Sequence, residues 1–82
     1  MILKDLVKNE QEVVISLSEE NREKFLKQAK KEGFKWLNGD EIQNDDKCFF
    51  HVSISQTGRI ANISAMCYAK SKNLRTLPRY EY

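Results

Sequence analysis

Proline is almost absent from this chain of 82 residues, and the single one, Pro78, leaves everything before it free to form regular structure. Glycine is scarce too: Gly33, Gly39 and Gly58 stand too far apart for a phosphate-cradling loop. His51 is the only histidine, so a structural zinc would lack ligands. Cys48 is near enough in sequence to share a metal with it or to act as its nucleophile. Three positions along a strand, however, reverse the direction of a side chain and separate the two. No stretch comes near the roughly 18 apolar residues of a membrane span, and Lys4, Asp5 and Lys8 fall where a signal peptide would carry its apolar core. These absences lead us to expect a cytoplasmic protein with no membrane association, in which Cys48 and Cys67 are reduced, inward-facing core residues and no metal or other cofactor is held.

What remains is rich in charge. Fourteen basic and twelve acidic residues leave a formal net charge of +2, which by itself favours neither nucleic acid nor protein as a partner. The charge is unevenly placed, with residues 34–47 at −2 and residues 70–82 at +3. A chain of this length forms one domain, residues 1–82, and buries only a little over ~60% of its unfolded surface. That leaves room for one sheet and one or two helices, as a monomer or a homodimer, and none for a deep substrate cavity. No enzyme is expected. Asp45 and Asp46 are paired carboxylates, but adjacent acids on a polar loop are solvated, and acid–base catalysis needs a pocket to hold them.

The clearest local signal is a helix over Glu19–Glu32. Ser18 is a good N-cap, Glu19, Glu20 and Glu23 sit at the positive end of the macrodipole, and Lys27, Lys30 and Lys31 at the negative end. Phe25, Leu26 and Ala29 form a narrow apolar face that must rest on another hydrophobic surface. Gly33 suits the left-handed position just past the helix, and Phe34 after it can fold back onto the last turn.

Around this helix the pattern is extended. Residues 1–11 suggest a short N-terminal helix through Leu3, Leu6 and Val7. Glu12–Leu17 reads as a strand with Val13, Ile15 and Leu17 on one side, and Phe34–Leu37 as a short strand ending in an Asn38-Gly39 turn. Asn38–Asp46 is a surface loop with only Ile42 to bury. Lys47–Ser55 and Arg59–Ala69 form a hairpin around Gln56-Thr57-Gly58. A two- or four-residue turn would set Ala61, Ile63, Ala65 and Cys67 opposite Cys48, Phe50, Val52 and Ile54, whereas the intermediate register would put Asn62 and Ser64 there. The expected fold is α+β: a mainly antiparallel sheet of four strands with one main helix packed on one face and Phe50 in the core beneath it. Residues 70–82 form a basic C-terminal tail.

Two candidate surfaces follow. The far face of the hairpin would present Phe49, His51, Met66 and Tyr68, flanked by the tail with Lys70, Lys72, Arg75, Arg79 and Tyr80. Rings and cations together can stack bases and neutralise phosphates, or the tail can cover this face as a second small core. The acidic loop, with Asp40, Glu41, Asp45 and Asp46, is a secondary candidate.

The helix ending in Gly33-Phe34-Lys35-Trp36, with Gly39 just beyond and a hairpin following in a Lys- and Asn-rich chain, resembles small phage and prophage proteins, among them anti-CRISPR and related anti-defence inhibitors. The likeness spans about Glu12 to Ala69. It implies a non-catalytic protein-binding role: occlusion of a protein or nucleic-acid-binding surface on a bacterial defence nuclease complex, inside the bacterial cytoplasm. Inhibitors that mimic DNA are strongly acidic, and the balance of +2 departs from that pattern. The alternative from another class is a small nucleic-acid-binding module using the aromatic sheet face and basic tail.

Overall fold

A computed structural model describes residues 2–82; Met1, where the expected N-terminal helix begins, lies outside the described residues. The chain is α+β, but the sheet is five-stranded and mixed. Its strands are β1 (Glu12–Ser16), β2 (Lys35–Trp36), β3 (His51–Ser55), β4 (Arg59–Ile63) and β5 (Arg79–Glu81). They lie in the order β2-β4-β3-β1-β5. Only β3 runs against its neighbours, and the β1–β5 and β2–β4 pairs are parallel.

Two crossovers build this order. From β1 the chain passes through α2 (Arg22–Lys31) to β2, beyond β3 and β4. From β4 it returns through α3 (Ala65–Lys70) and α4 (Lys72–Thr76) to β5, beyond β3 and β1. Parallel crossovers share one hand, so two that run in opposite directions must lie on opposite faces of the sheet. The single expected helical layer is therefore two. On the first face Phe25, Leu26 and Ala29 of α2 join Val13, Ile15, Leu17, Val52, Ile54 and Ile60 in the main core, as the spacing of α2 and β1 requires. On the second face the ring of Tyr68 in α3 stacks on that of His51, with centroids 4.6 Å apart and planes 10° from parallel.

Several expectations are corrected here. The hairpin takes the intermediate register: His51 stands opposite Ile63, Ser53 opposite Ala61 and Ile54 opposite Ile60. The reason is the loop. Gln56-Thr57-Gly58 is a three-residue connection with the Gly58 N–H donating to the Ser55 carbonyl at 3.0 Å and Gly58 at φ +84, the common arrangement of a turn followed by a left-handed residue. Ile60 thus enters the core instead of Ala61, and Asn62, which shares its side, serves at the edge by accepting the Phe49 N–H at 2.9 Å and donating to the Lys47 carbonyl at 3.1 Å.

The second hairpin strand stops at Ile63. Ser64 takes extended backbone and its hydroxyl accepts the Cys67 N–H at 3.1 Å, which starts α3 where strand was expected; Cys67 is left exposed rather than inward-facing. The first strand is also shorter than Lys47–Ser55. The chain bends at Phe50, whose carbonyl still accepts the Leu17 N–H at 2.8 Å while its ring turns outward, 52% exposed. Phe50 is not a core residue. Residues 70–82, expected as a tail, contain α4 and β5.

Helix ends differ in a similar way. The Ser18 hydroxyl makes no capping bond, because Glu19–Asn21 form a tight 3₁₀ turn before α2 begins at Arg22. At the other end the expectation holds: the Gly33 N–H donates to the Lys30 carbonyl and the Phe34 N–H to the Ala29 carbonyl, with Gly33 at φ +89 and Phe34 buried. The N-terminal helix is one turn, α1 (Leu3–Leu6). A residue far along the chain secures it: the Glu32 carboxylate accepts the N–H groups of Leu3 and Lys4, each at 2.9 Å.

Candidate functional site

The sheet has one end at which β1 and β4 finish and β3 begins, and the most unusual side chains gather near it. Phe49 is 44% exposed and Phe50 52%, side by side in the segment entering β3. Asn62 anchors the backbone of this segment through the two bonds described above, so its exposed rings are carried on a held support. Arg22, the first residue of α2, reaches the same segment. Its guanidinium lies 4.4 Å from the centre of the Phe50 ring and its Nη1 donates to the Cys48 carbonyl at 3.0 Å, while its Nε is buried with no hydrogen-bond partner among the described residues. A cation over a ring face gains about 0.5–1 kcal/mol at an exposed site. Here it also sets the direction in which Phe50 points.

Across an open groove of about 620 Å³ the same segment faces the acidic loop, with Arg22, Glu23, Asp45, Asp46, Lys47 and Phe49 contributing to the lining. That loop is tied down more closely than its composition suggests. Asp46 Oδ2 accepts the Trp36 indole N–H at 2.7 Å and the Gln43 backbone N–H at 2.8 Å, and these bonds, the Gln43 one foremost, hold its carboxyl below the ordinary aspartate range. Asp40 is engaged by Asn38 through its backbone N–H and its carboxylate, and the backbone of Glu41 forms an isolated antiparallel β-bridge with that of Lys35 in β2. The four acidic candidates therefore spread out: Asp45 lies toward the aromatic segment, Asp40 and Glu41 stay by the turn after β2, and Asp46 lies between, lining the groove beside Phe49 while it is bonded to Trp36.

The fold also divides the expected aromatic surface. His51 and Tyr68 are half-buried and stacked on each other, so they form part of the covering of the second face. Met66 lies in the first turn of α3, at the same end of the sheet as Phe49, and is 67% exposed. Lys70 closes α3 and Lys72 opens α4, with Arg75 one turn later, all exposed; Arg79 and Tyr80 lie in β5 at the opposite edge from β2. Arg79 stands 3.9 Å from Glu81. Arg22 and Phe50 were missed as site residues, Arg22 because it reads as one more surface cation on an amphipathic helix and Phe50 because strict alternation places it inside.

Chemistry at these groups is limited. Burial pushes the Cys48 thiol up to about 12 against the smaller opposing pull of Arg22, so it carries no thiolate at neutral pH. Among the described residues no three His, Cys, Asp or Glu side chains converge as a metal site, and no helix is long and apolar enough to cross a membrane.

The class the fold defines is a small α+β domain with a mixed sheet and a helical layer on each face. Comparison of the chain with protein-family models, with curated proteins and with solved structures finds no match.

Proposed function

We propose that this protein is a non-catalytic binding domain that contacts a partner protein through Phe49, Phe50 and Met66, with Arg22 behind them. The carrying observation is the adjacent pair of exposed phenylalanines on a hydrogen-bonded support, one of them held under a guanidinium. Aromatic, methionine and arginine side chains are the types enriched at the centres of protein interfaces, and a small domain gains nothing in its own stability by leaving two rings in water. The resemblance to anti-defence proteins supplies the specific form of this reading, in which the partner is a bacterial defence nuclease complex that the domain blocks by occupying one of its surfaces.

The rival reading, a nucleic-acid module, is less favoured, because two of the four side chains of its stacking platform, His51 and Tyr68, are half-buried and stacked on each other. The test is capture from a nuclease-treated bacterial lysate on the immobilised 82-residue chain and on its Phe49→Ser/Phe50→Ser variant. A specific protein held by the parent and lost from the variant is the expected outcome. A hot-spot pair is worth about 2 kcal/mol or more, roughly thirtyfold in affinity. Partners that disappear on nuclease treatment would overturn the reading.

A further inference from the structure

We infer that the partner bound at Phe49, Phe50 and Met66 carries an acidic surface that lies across α3 and α4. This rests on the protein-binding reading above and adds the chemistry of the partner. From Lys47 to Tyr80 the chain holds six lysines and arginines and not one aspartate or glutamate, whereas residues 1–46 hold eleven carboxylates against eight cations. The fold places four of those six cations, Lys70, Lys72, Arg75 and Arg79, on the single crossover that covers the second face and on the strand it leads into. Of these, only Arg79 has an ion pair among the described residues. On α2, by comparison, Lys27 is paired with Glu23 at 3.4 Å. Unpaired cations of one sign on one side raise a field of several kT that attracts an opposite surface and penalises a like one.

Continuity joins this face to the aromatic end. Met66 and Lys70 are four residues apart on α3 and so share one side of the helix; whatever covers Met66 therefore meets Lys70. Lys72 and Arg75, three apart, likewise share one side of α4, the next helix of the same crossover. A carboxylate-bearing protein surface fits this arrangement better than a nucleic acid does, since His51 and Tyr68, the rings expected to stack on bases, are half-buried and stacked on one another, so that each has one face already covered.

The experiment uses the protein retained from nuclease-treated lysate by the parent chain. It is eluted and rebound to the parent, to Phe49→Ser/Phe50→Ser and to Lys70→Glu/Lys72→Glu/Arg75→Glu at 50 and 500 mM salt, with zero-length carbodiimide cross-linking at the lower salt. The neutral variant Lys70→Gln/Lys72→Gln/Arg75→Gln and circular dichroism of each variant separate loss of charge from loss of fold. We expect charge reversal to slow association by about tenfold or more at low salt, with neutralisation intermediate, the parent's own association to slow at high salt, and cross-links to join Lys70 or Lys72 to aspartates or glutamates of the retained protein. A retained protein that is lost from the phenylalanine variant but is indifferent to salt and to charge reversal would overturn the acidic partner and leave the protein-binding reading standing. Failure to retain any protein removes both. Submicromolar binding of a 20-nucleotide single- or double-stranded DNA at 150 mM salt, abolished by the charge reversal, would assign the face to phosphates instead.

Discussion

Tyr82 seats its ring edge-on against Phe25, with centroids 5.5 Å apart and planes at 83°, and its hydroxyl donates to Gln28 Oε1 at 2.6 Å. A residue just past β5 thus packs against the buried face of α2, and its N–H donates to the Ser16 carbonyl at 3.0 Å, extending the pairing with β1. The end of the stretch that reads in the sequence as a basic tail is part of the core's closure. Tyr82→Ala should cost about 2–3 kcal/mol in urea denaturation, and Tyr82→Phe only the hydroxyl's share of about 1 kcal/mol. If removing the whole side chain left the midpoint unchanged, the docking of β5 would be refuted.

The hairpin register makes opposite forecasts for two neighbouring kinds of residue. Ile60→Ala empties a fully buried position and should cost roughly 2–5 kcal/mol, a large share of the stability of so small a domain. Phe50→Ala should cost about 1 kcal/mol or less, since the ring is half in water and gives up mainly its contact with Arg22. In the registers set by a two- or four-residue turn the order would be reversed. Paired thermal or urea melts decide between them.

Acid should loosen the N-terminal helix by way of Glu32. Partial burial alone would raise this carboxyl, but bonds from the Leu3 and Lys4 N–H groups and from Gln28 outweigh it and hold it below the ordinary value of 4.5. A folded-state value below the unfolded one means that the contribution is complete above about pH 4.5 and is lost as pH falls through the folded-state value. Glu32→Gln should abolish that pH dependence and destabilise the domain by about 1 kcal/mol at neutral pH, because a neutral amide accepts the two N–H groups less strongly. Hydrogen exchange at Leu3 and Lys4 in parent and variant, followed from pH 6 downward, is the direct readout. Equal protection in both proteins would count against the contact.

The two cysteines should differ sharply in reactivity. Cys67 is exposed on α3, whereas Cys48 is buried with its thiol pushed up to about 12. Under native conditions at pH 8 iodoacetamide should label one thiol, at Cys67, and in concentrated urea both. Rapid native labelling of Cys48 would mean that the segment entering β3 is not held as described.

Short-range chemistry is what the sequence determined. The existence and buried face of α2, its end at Gly33, the strand beginning at Glu12, the turn at Asn38-Gly39 and the existence of a hairpin at Gly58 all follow from periodicity over a few residues or from the need of one glycine for positive φ, and these hold wherever the element comes to lie. Of the candidate site, Phe49 and Met66 were legible as apolar side chains outside the core, and the lysines and arginines of α3, α4 and β5 as an unbalanced charge. Tertiary structure decided the remainder, because several local solutions were nearly equal in energy. Residues 64–69 alternate like a strand yet offer a serine cap and helix formers. The helix prevails where Val14 and Ile63 on the second face need covering. Register depended on which turn the pairing could accept, and a shift of one residue exchanged Ala61 for Ile60 in the core. Phe50 turned outward once the chain bent toward β1 and Arg22 offered its guanidinium, and the brief alternation of Tyr80 and Tyr82 with Arg79 and Glu81 became a strand because β1 presented an open edge. Each of these outcomes depends on partners distant in sequence, and a pattern read along the chain does not contain them.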